Sequence, residues 1–357
     1  MKRLFACILA LIMILSMSAC AKQEALVPTE ETKPVPVPIE PAKKTIHVLV
    51  PADTAGWQAK AAAAATEAAE AIKAAGKYDV VVSPYADAAT QRKLLEDLAA
   101  QSTKDGSLSA VLMPAADMED VLAKLLEANV SYALADTIPQ AAAAASVANV
   151  SYDQRAIGAA VAAWMVQEGL TEDQRVLLVQ SSSEEEALRT EGFCLYLQGK
   201  LDYEGKLIET PWSSLNNIVY SEMEGQTQEN AEAYFTTYMD DSDHADTKYL
   251  VAWEDTYVMG VLSALKSENI DEDDKAEFLE GKPVVATCGG SQAITDVLKT
   301  PNENPFGKLQ VAAYSADLLK IAVEAMAAHF DGTVMPQENI QSIVWVNAEN
   351  VGQYQGY

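Results

Sequence analysis

Cysteine is scarce in this sequence, with four residues in a chain of 357. Cys7 and Cys20 lie near the start, so Cys194 and Cys288 are left for the rest of the chain. Two cysteines cannot form the framework of several disulfides that stabilises small secreted proteins. They could form a single bridge or lie buried as two small apolar side chains, and the sequence leaves both alternatives open.

Positive charge is also scarce, with 25 Lys and Arg against 52 Asp and Glu and a formal net charge of −27 at pH 7. Binding to nucleic acid needs a basic surface, so we expect no nucleic-acid partner. The acids are spread along the chain, which is typical of a well-solvated surface. The acidic run at 240–246 lacks the glycine and the distal glutamate of a calcium loop, and the three histidines show no ligand spacing, so we expect no metal.

Sequence motifs of catalysis and cofactor binding are missing. There is no GxGxxG after a strand, no GK[ST] phosphate loop, no GxSxG elbow, no HExxH and no CxxC. We therefore expect a protein without cofactors that is not an enzyme.

The first residues have the pattern of a signal peptide. Met1, Lys2 and Arg3 precede an apolar run at 4–17, and two small residues stand directly before Cys20. We expect 1–19 to be removed and Cys20 to carry a lipid that anchors the protein outside the cell membrane; the alternative is an ordinary secretory signal with an incidental cysteine. The proline-rich stretch at 20–44 predicts a semi-extended linker.

From residue 45 onward, short runs rich in Val, Ile and Leu alternate with longer helical stretches, which is typical of parallel sheets covered on both faces. Strands are expected at 45–50, 79–83, 110–113, 130–135, 175–180, 206–209, 249–252, 283–287 and 342–346. Helices are expected at 56–75, 88–101, from Asp117, from Asp153 to 167, and at 184–199, 228–239, 256–267 and 316–329, with a loop or single helical turn at 141–145. About 310 residues in this rhythm predict two α/β domains.

Several segments occur in an order and spacing that resemble a known family. They are TIHVLVPADTAGW, YDVVVSPYADAATQRKLLEDL, AVLMPAAD, NVSYALADT, VSYDQRAIGAA, LRTEGF, YLVAWEDTYVMGVLSAL and AVEAMAAHFDGTVMP. In this order they resemble the periplasmic-binding-protein type I family, in particular the ribose-binding-like sugar receptors. The resemblance implies two doubly wound parallel-sheet lobes joined by a hinge of three crossovers. Lobe one would comprise 45–149 and 313–335, and lobe two 150–312 and 336–357.

The resemblance also implies a ligand site where the strand ends of the two lobes face each other. The implied ligand-binding residues are Trp57 and Trp212 as stacking rings, Asp136 as a hydroxyl acceptor, Arg189 as a donor, and Trp253, Glu254 and Asp255 after one strand. Each has a plainer interpretation, such as a helix anchor for Trp57, a solvated loop acid for Asp136 and a surface ion pair for Arg189.

This sequence departs from the sugar-binding pattern at several of those positions. Cys288 stands where an aspartate is usual, Met113 where asparagine is frequent, and Ala313 where glutamine is common. Met113 and Cys288 are therefore included among the expected cleft residues, and the cleft is expected to be less polar than a ribose site. Glu254 replaces a usual asparagine, which favours a ligand with hydroxyls or a positive charge over an anion.

These features together predict a monomeric, extracytoplasmic solute-binding lipoprotein. It would capture a sugar, a polyol or a nucleoside-like molecule and deliver it to the permease of an ABC importer. An alternative is a sensor that reports its ligand to a chemoreceptor or a histidine kinase. The ligand lobe of a cytoplasmic repressor is disfavoured by the export signal and by the lack of a DNA-binding segment.

Overall fold

The computed structural model of the protein describes residues 43–53, 55–221, 223–240 and 242–357. The expected signal peptide at 1–19, the lipid-bearing Cys20 and most of the linker at 20–44 lie outside the described residues. None of the helices in the described part of the chain has the length and apolar character needed to cross a membrane.

Twelve strands are formed by the described residues. In chain order they are β1 (Thr45–Pro51), β2 (Asp79–Tyr85), β3 (Leu108–Leu112), β4 (Ser131–Ala135), β5 (Asn149–Tyr152), β6 (Arg175–Val179), β7 (Ile218–Tyr220), β8 (Thr247–Ala252), β9 (Val284–Gly289), β10 (Lys308–Ala313), β11 (Glu338–Gln341) and β12 (Val344–Val346).

Eleven α-helices accompany these strands in the described part. They are α1 (Gly56–Ala74), α2 (Ala88–Gln101), α3 (Glu119–Glu127), α4 (Gln140–Ala143), α5 (Gln154–Gln167), α6 (Glu184–Leu197), α7 (Gln228–Met239), α8 (Asp255–Lys266), α9 (Glu272–Glu280), α10 (Gln292–Lys299) and α11 (Leu318–Phe330). Short 3-10 helices occur at Ser242–Asp246 and Val351–Gln353.

The strands form two six-stranded sheets. The first has the order β11-β5-β4-β3-β1-β2 and the second β12-β10-β9-β8-β6-β7. All pairs are parallel except β10 with β12, which is antiparallel. The expected fold class, two doubly wound parallel-sheet lobes, is confirmed.

The chain passes between the two sheets three times, from β5 to α5, from β10 to α11 and from β11 to β12. Helix α11 returns to the first sheet, where it packs against α1 and β4. These three crossings lie side by side and form the connection between the lobes.

Burial of both faces of each sheet explains why the strand sequences are continuous apolar runs. In β8, Tyr249 and Val251 belong to one hydrophobic cluster, and Leu250 and Ala252 belong to another on the opposite face. Both clusters are covered by helices, so each sheet has a helical layer on each side.

Helices α5 and α6 cross at unusually short range. A Cβ atom built on Gly158 would lie 1.8 Å from the backbone oxygen of Arg189, and one on Gly192 would lie 2.0 Å from the backbone oxygen of Arg155. Only glycine permits this approach. The backbone of Arg189 is therefore held directly against α5.

Three expectations differ from the structure. The strand expected at 206–209 is absent, and the edge strand is instead β7, which has only three residues. Residues 336–357 were expected to lie wholly in lobe two, whereas β11 pairs with β5 in the first sheet. The first segment of lobe one was expected to end at 149, whereas β5 extends to Tyr152. Strand β11 (ENIQ) is largely exposed and has no apolar alternation, so hydrophobic periodicity could not reveal it.

Candidate functional site

A cavity of about 610 Å³ lies between the two lobes, at the carboxyl ends of their strands. Such crevices are where open parallel sheets place ligands. Its aromatic lining consists of Trp57, Tyr152, Tyr314 and Tyr357. Its charged lining consists of Asp136, Glu184, Glu185, Glu254 and Arg189, and its amide lining of Gln58, Gln154 and Gln226.

Asp136 enters the cavity directly after β4. Its backbone has φ +69°, in the left-handed region that aspartate tolerates better than most residues, and its N–H donates to the oxygen of Val150 at 2.8 Å. Burial, together with the nearby charge of Glu185, raises the pKa of Asp136 to about 6, although Arg189 acts in the opposite direction. The strained turn thus presents a half-buried carboxylate to the cleft.

The backbone of Ser315, between β10 and α11, contacts Trp57 and Tyr152 and directly follows Tyr314. The Trp57 indole N–H donates to the oxygen of Ser315 at 3.3 Å, and the Tyr152 hydroxyl accepts from the Ser315 N–H at 2.7 Å. The rings of Tyr152 and Tyr314 lie 5.2 Å apart between centroids. The cleft aromatics are therefore attached to two of the crossings that join the lobes.

Arg189 and Glu254 form an ion pair on the lobe-two side, with Nη1 at 2.8 Å from Oε1. Arg189 also donates to the Trp253 oxygen at 2.6 Å and to Gln154 Oε1 at 2.7 Å, and its guanidinium lies 5.3 Å from the centroid of the Tyr314 ring. Burial acts to lower the pKa of Arg189, but Tyr314 and Glu254 outweigh it and the pKa is raised. The guanidinium therefore stays charged.

Four of the expected cleft residues, Trp57, Asp136, Arg189 and Glu254, line the cavity together. Neither Trp212 nor Trp253 is among the lining residues. Trp212 is 7 % exposed and packs in the lobe-two core, and its backbone N–H donates to the Leu197 oxygen at 2.8 Å. The ring of Trp253 is fully buried edge-on against Phe193, and its indole N–H donates to Thr190 Oγ1 at 2.7 Å.

Asp255, Met113 and Cys288 are buried and are not among the lining residues either. Asp255 Oδ2 accepts from the N–H groups of Gly290 and Ser291 at 2.6 and 2.7 Å, so it fixes the turn before α10. Met113 contributes its backbone oxygen, which accepts from Gln91 and Tyr85. Cys288 is fully buried, and both Cys288 and Cys194 are free, so the two do not form a bridge.

Several lining residues were missed by the sequence reasoning. Tyr152 was overlooked because no strand was expected where β5 forms. Tyr314 follows β10 directly, and its place after a strand was a usable signal. Glu184 and Glu185 begin α6, and the sequence reasoning predicted this helix without assigning a role to either acid.

Tyr357 reaches the cavity through the chain that follows the 3-10 helix Val351–Gln353. Its N–H donates to the Gly290 oxygen at 3.4 Å, and its oxygen accepts from the Gln292 N–H at 2.8 Å. Lys60 on α1 donates its Nζ to the Gly356 oxygen. This segment therefore contacts both lobes beside the cavity.

Away from the cleft, within the described residues, His244, Asp274 and Glu277 place one ligand atom each within 4.8 Å of one another. Asp274 is half-buried and Glu277 exposed, and surface acids commonly gather in this way without a metal. We assign no metal to this group.

Three buried or half-buried carboxyls make stability depend on pH. Burial raises the pKa of Asp136 from 3.8 to about 6, of Asp255 from 3.8 to about 6, and of Glu254 from 4.5 to about 7. The folded state thus binds these protons more tightly than the unfolded state, and that stabilisation is lost as the pH rises through 6 to 7.

We expect the free energy of unfolding of the ligand-free protein to fall by about 2 kcal/mol or more between pH 5 and pH 8. Urea unfolding at both pH values and at fixed ionic strength measures this change. A stability that rises over the same range would contradict it.

The family model described as "periplasmic binding protein domain" matches residues 46–333. No curated protein sequence matches the chain. Among solved structures, similarity extends to a periplasmic ribose ABC transporter from Conexibacter woesei (TM-score 0.66, 13 % identity, covering 87 % of this chain and 94 % of that one). It also extends to a substrate-binding protein of a sugar ABC transport system from Bordetella parapertussis (TM-score 0.64, 16 % identity, 87 % and 91 % covered).

The same fold occurs in a Bacteroides fragilis protein assigned to the LacI transcriptional regulators (TM-score 0.63, 13 % identity, 88 % and 100 % covered). At such identities these structures establish the fold alone. The family model matches most of the chain, and its members are binding proteins of transporters rather than enzymes, as expected from the missing catalytic motifs. With its two lobes and the cleft between them, the chain belongs to the periplasmic binding protein family.

Proposed function

We propose that this protein is an extracytoplasmic solute-binding lipoprotein that captures a small polar ligand, a sugar or sugar-like molecule, and delivers it to an ABC importer. The observation that carries the proposal is the cavity of about 610 Å³ between facing strand ends, lined by four aromatic rings and by hydrogen-bonding side chains. Aromatic faces pack on the apolar faces of a sugar ring, while carboxylates and amides accept and donate to hydroxyls.

Closure of the lobes around the ligand supplies both affinity and a signal to the partner. A ligand that contacts both lobes binds the closed form better than the open form and shifts the population toward it. An importer that recognises the closed form would then receive loaded protein in preference to empty protein.

The export signal at 1–19 and the lipid on Cys20 belong to the same proposal. A lipid-anchored domain stays close to a permease in the same membrane, which raises its effective concentration there. The sequence around Cys20 supports this part.

A thermal-shift screen of the mature domain against sugars, polyols and nucleosides tests the ligand proposal. We expect at least one sugar-like compound to raise the melting temperature. Replacing Trp57 by Ala should remove that shift, because it deletes one aromatic wall, whereas Trp57→Phe should retain much of it. If no compound of these classes changes the melting temperature, the ligand proposal is wrong.

A further inference from the structure

The cleft has a strong excess of negative charge. In the described part of the chain, four carboxylates line it, those of Asp136, Glu184, Glu185 and Glu254, against one basic side chain, Arg189. The ion pair between Arg189 and Glu254 neutralises one carboxylate within the protein. Asp136, Glu184 and Glu185 lie outside this pair; Glu184 is exposed to solvent, whereas Asp136 and Glu185 are half-buried.

Among the described side chains, none donates a hydrogen bond to these three acids or forms an ion pair with them, although the N-terminus of α6 favours the charges of Glu184 and Glu185. Asp136 is half-buried, and the charge of Glu185 disfavours its ionised form. Half-buried carboxylates are costly unless a positive group or hydrogen-bond donors meet them. A ligand in the cleft can supply that positive group or those hydrogen-bond donors.

The acids also stand on opposite sides of the cleft. Asp136 follows β4 in the first lobe, whereas Glu184 and Glu185 begin α6 in the second. Closing an empty cleft brings like charges together, and a cation between them converts this repulsion into attraction. A positively charged ligand therefore gains affinity specifically in the closed form.

The remaining lining suits the same ligand class. Trp57, Tyr152 and Tyr357 offer aromatic rings for cation–π contacts with an ammonium group, while the Tyr314 ring already faces the Arg189 guanidinium. The amides of Gln58, Gln154 and Gln226 are suited to hydroxyls.

We propose that the ligand is a hydroxylated amine, such as an amino sugar, whose ammonium group lies between Asp136 and the first turn of α6. This inference rests on the proposed function and narrows its ligand class from neutral sugars to cationic ones.

Calorimetric titration with matched pairs tests the proposal: glucosamine with glucose, galactosamine with galactose, and mannosamine with mannose. N-acetylglucosamine and glucuronate serve as neutral and anionic members of the first set. We expect at least one amine to bind with a dissociation constant about tenfold lower than its neutral partner, because a charge-assisted hydrogen bond replaces a neutral one. Glucuronate should bind more weakly than glucose.

Asp136→Asn keeps the shape of the side chain and removes its charge, so the preference for the amine should fall to about twofold or less. Glu185→Gln should reduce it as well and serves as the second variant. Asp97→Asn removes the same charge from the exposed face of α2 and should leave the preference unchanged.

The outcomes are distinguishable from those for the proposed function. Neutral sugars that bind as tightly as their amines, or a preference unaffected by Asp136→Asn, would overturn the inference while leaving sugar capture intact. If neither the amines nor the neutral sugars bind, this inference fails, whereas the proposed function fails only if the wider thermal-shift screen also finds no ligand.

Discussion

Replacing Gly158 by Ala is expected to lower the free energy of unfolding by about 3 kcal/mol. The added methyl group would lie 1.8 Å from the Arg189 oxygen and 2.7 Å from the Phe193 nitrogen, which are backbone atoms of α6 and cannot rotate away. Alanine is worth about 1 kcal/mol more than glycine in a helix interior, so the steric cost must exceed that gain. Urea unfolding of both proteins measures the difference.

The same substitution should weaken ligand binding, because separating α5 from α6 moves the backbone of Arg189. Gly192→Ala, with its methyl group 2.0 Å from the Arg155 oxygen, obstructs the same crossing from the other helix. The double variant should therefore lose less stability than the sum of the single variants. Gly352→Ala, where a methyl group meets no atom within 4 Å, is the control. An unchanged stability for Gly158→Ala would contradict the short approach of these helices.

Arg189→Met is expected to abolish measurable ligand binding and to cost about 3 to 5 kcal/mol of stability. The substitution removes the partner of Glu254 and the donor to the Trp253 oxygen, and it leaves Gln154 without its guanidinium contact. Arg155→Met is the matched control, since its ion pair with Glu191 is about half exposed, at 48 % and 47 % for the two side chains. Exposed pairs of this kind contribute about 1 kcal/mol or less.

Dependence on pH separates loss of the ion pair from simple loss of packing. Arg189 lowers the pKa of Glu254, so this pKa should rise further in Arg189→Met. Protonation then removes the unpaired charge at low pH, and the destabilisation relative to the parent protein should be smaller at pH 5 than at pH 8. A loss of stability independent of pH would argue that Arg189 acts through packing alone.

Local patterns predicted the parts of the fold that depend on neighbouring residues. Helix α2 begins and ends where its amphipathic pattern indicated, and Asp153 caps α5 by accepting from the Ala156 N–H at 3.0 Å. The parallel sheets followed from apolar runs alternating with helices. Strand β7 and the polar strand β11 were not predicted, because they are short edge strands whose pairing depends on the completed sheet.

From local position alone, the candidate site was predictable only where a side chain follows a strand and turns outward, whereas Trp57 and Arg189 were named through the family resemblance. Asp136 and Glu254 fulfil that condition, but Trp253 does not, because its ring turns back into the core against Phe193. Position after a strand cannot distinguish these directions. Tyr357 reaches the cavity through contacts with Gly290 and Gln292, and nothing in the neighbouring sequence indicates such a return.

Ser315 joins Trp57 and Tyr152 through its main-chain oxygen and N–H, whereas its hydroxyl accepts from Asp317 N–H and donates to Asp317 Oδ2. Every amino acid except proline offers the same two main-chain groups. A substitution of Ser315 by any residue other than proline would therefore keep the main-chain contacts with both rings and would lose only the hydroxyl contacts with Asp317. At this junction the identity of the wall is thus carried by the two aromatic side chains, while the residue that holds them together contributes only its peptide groups.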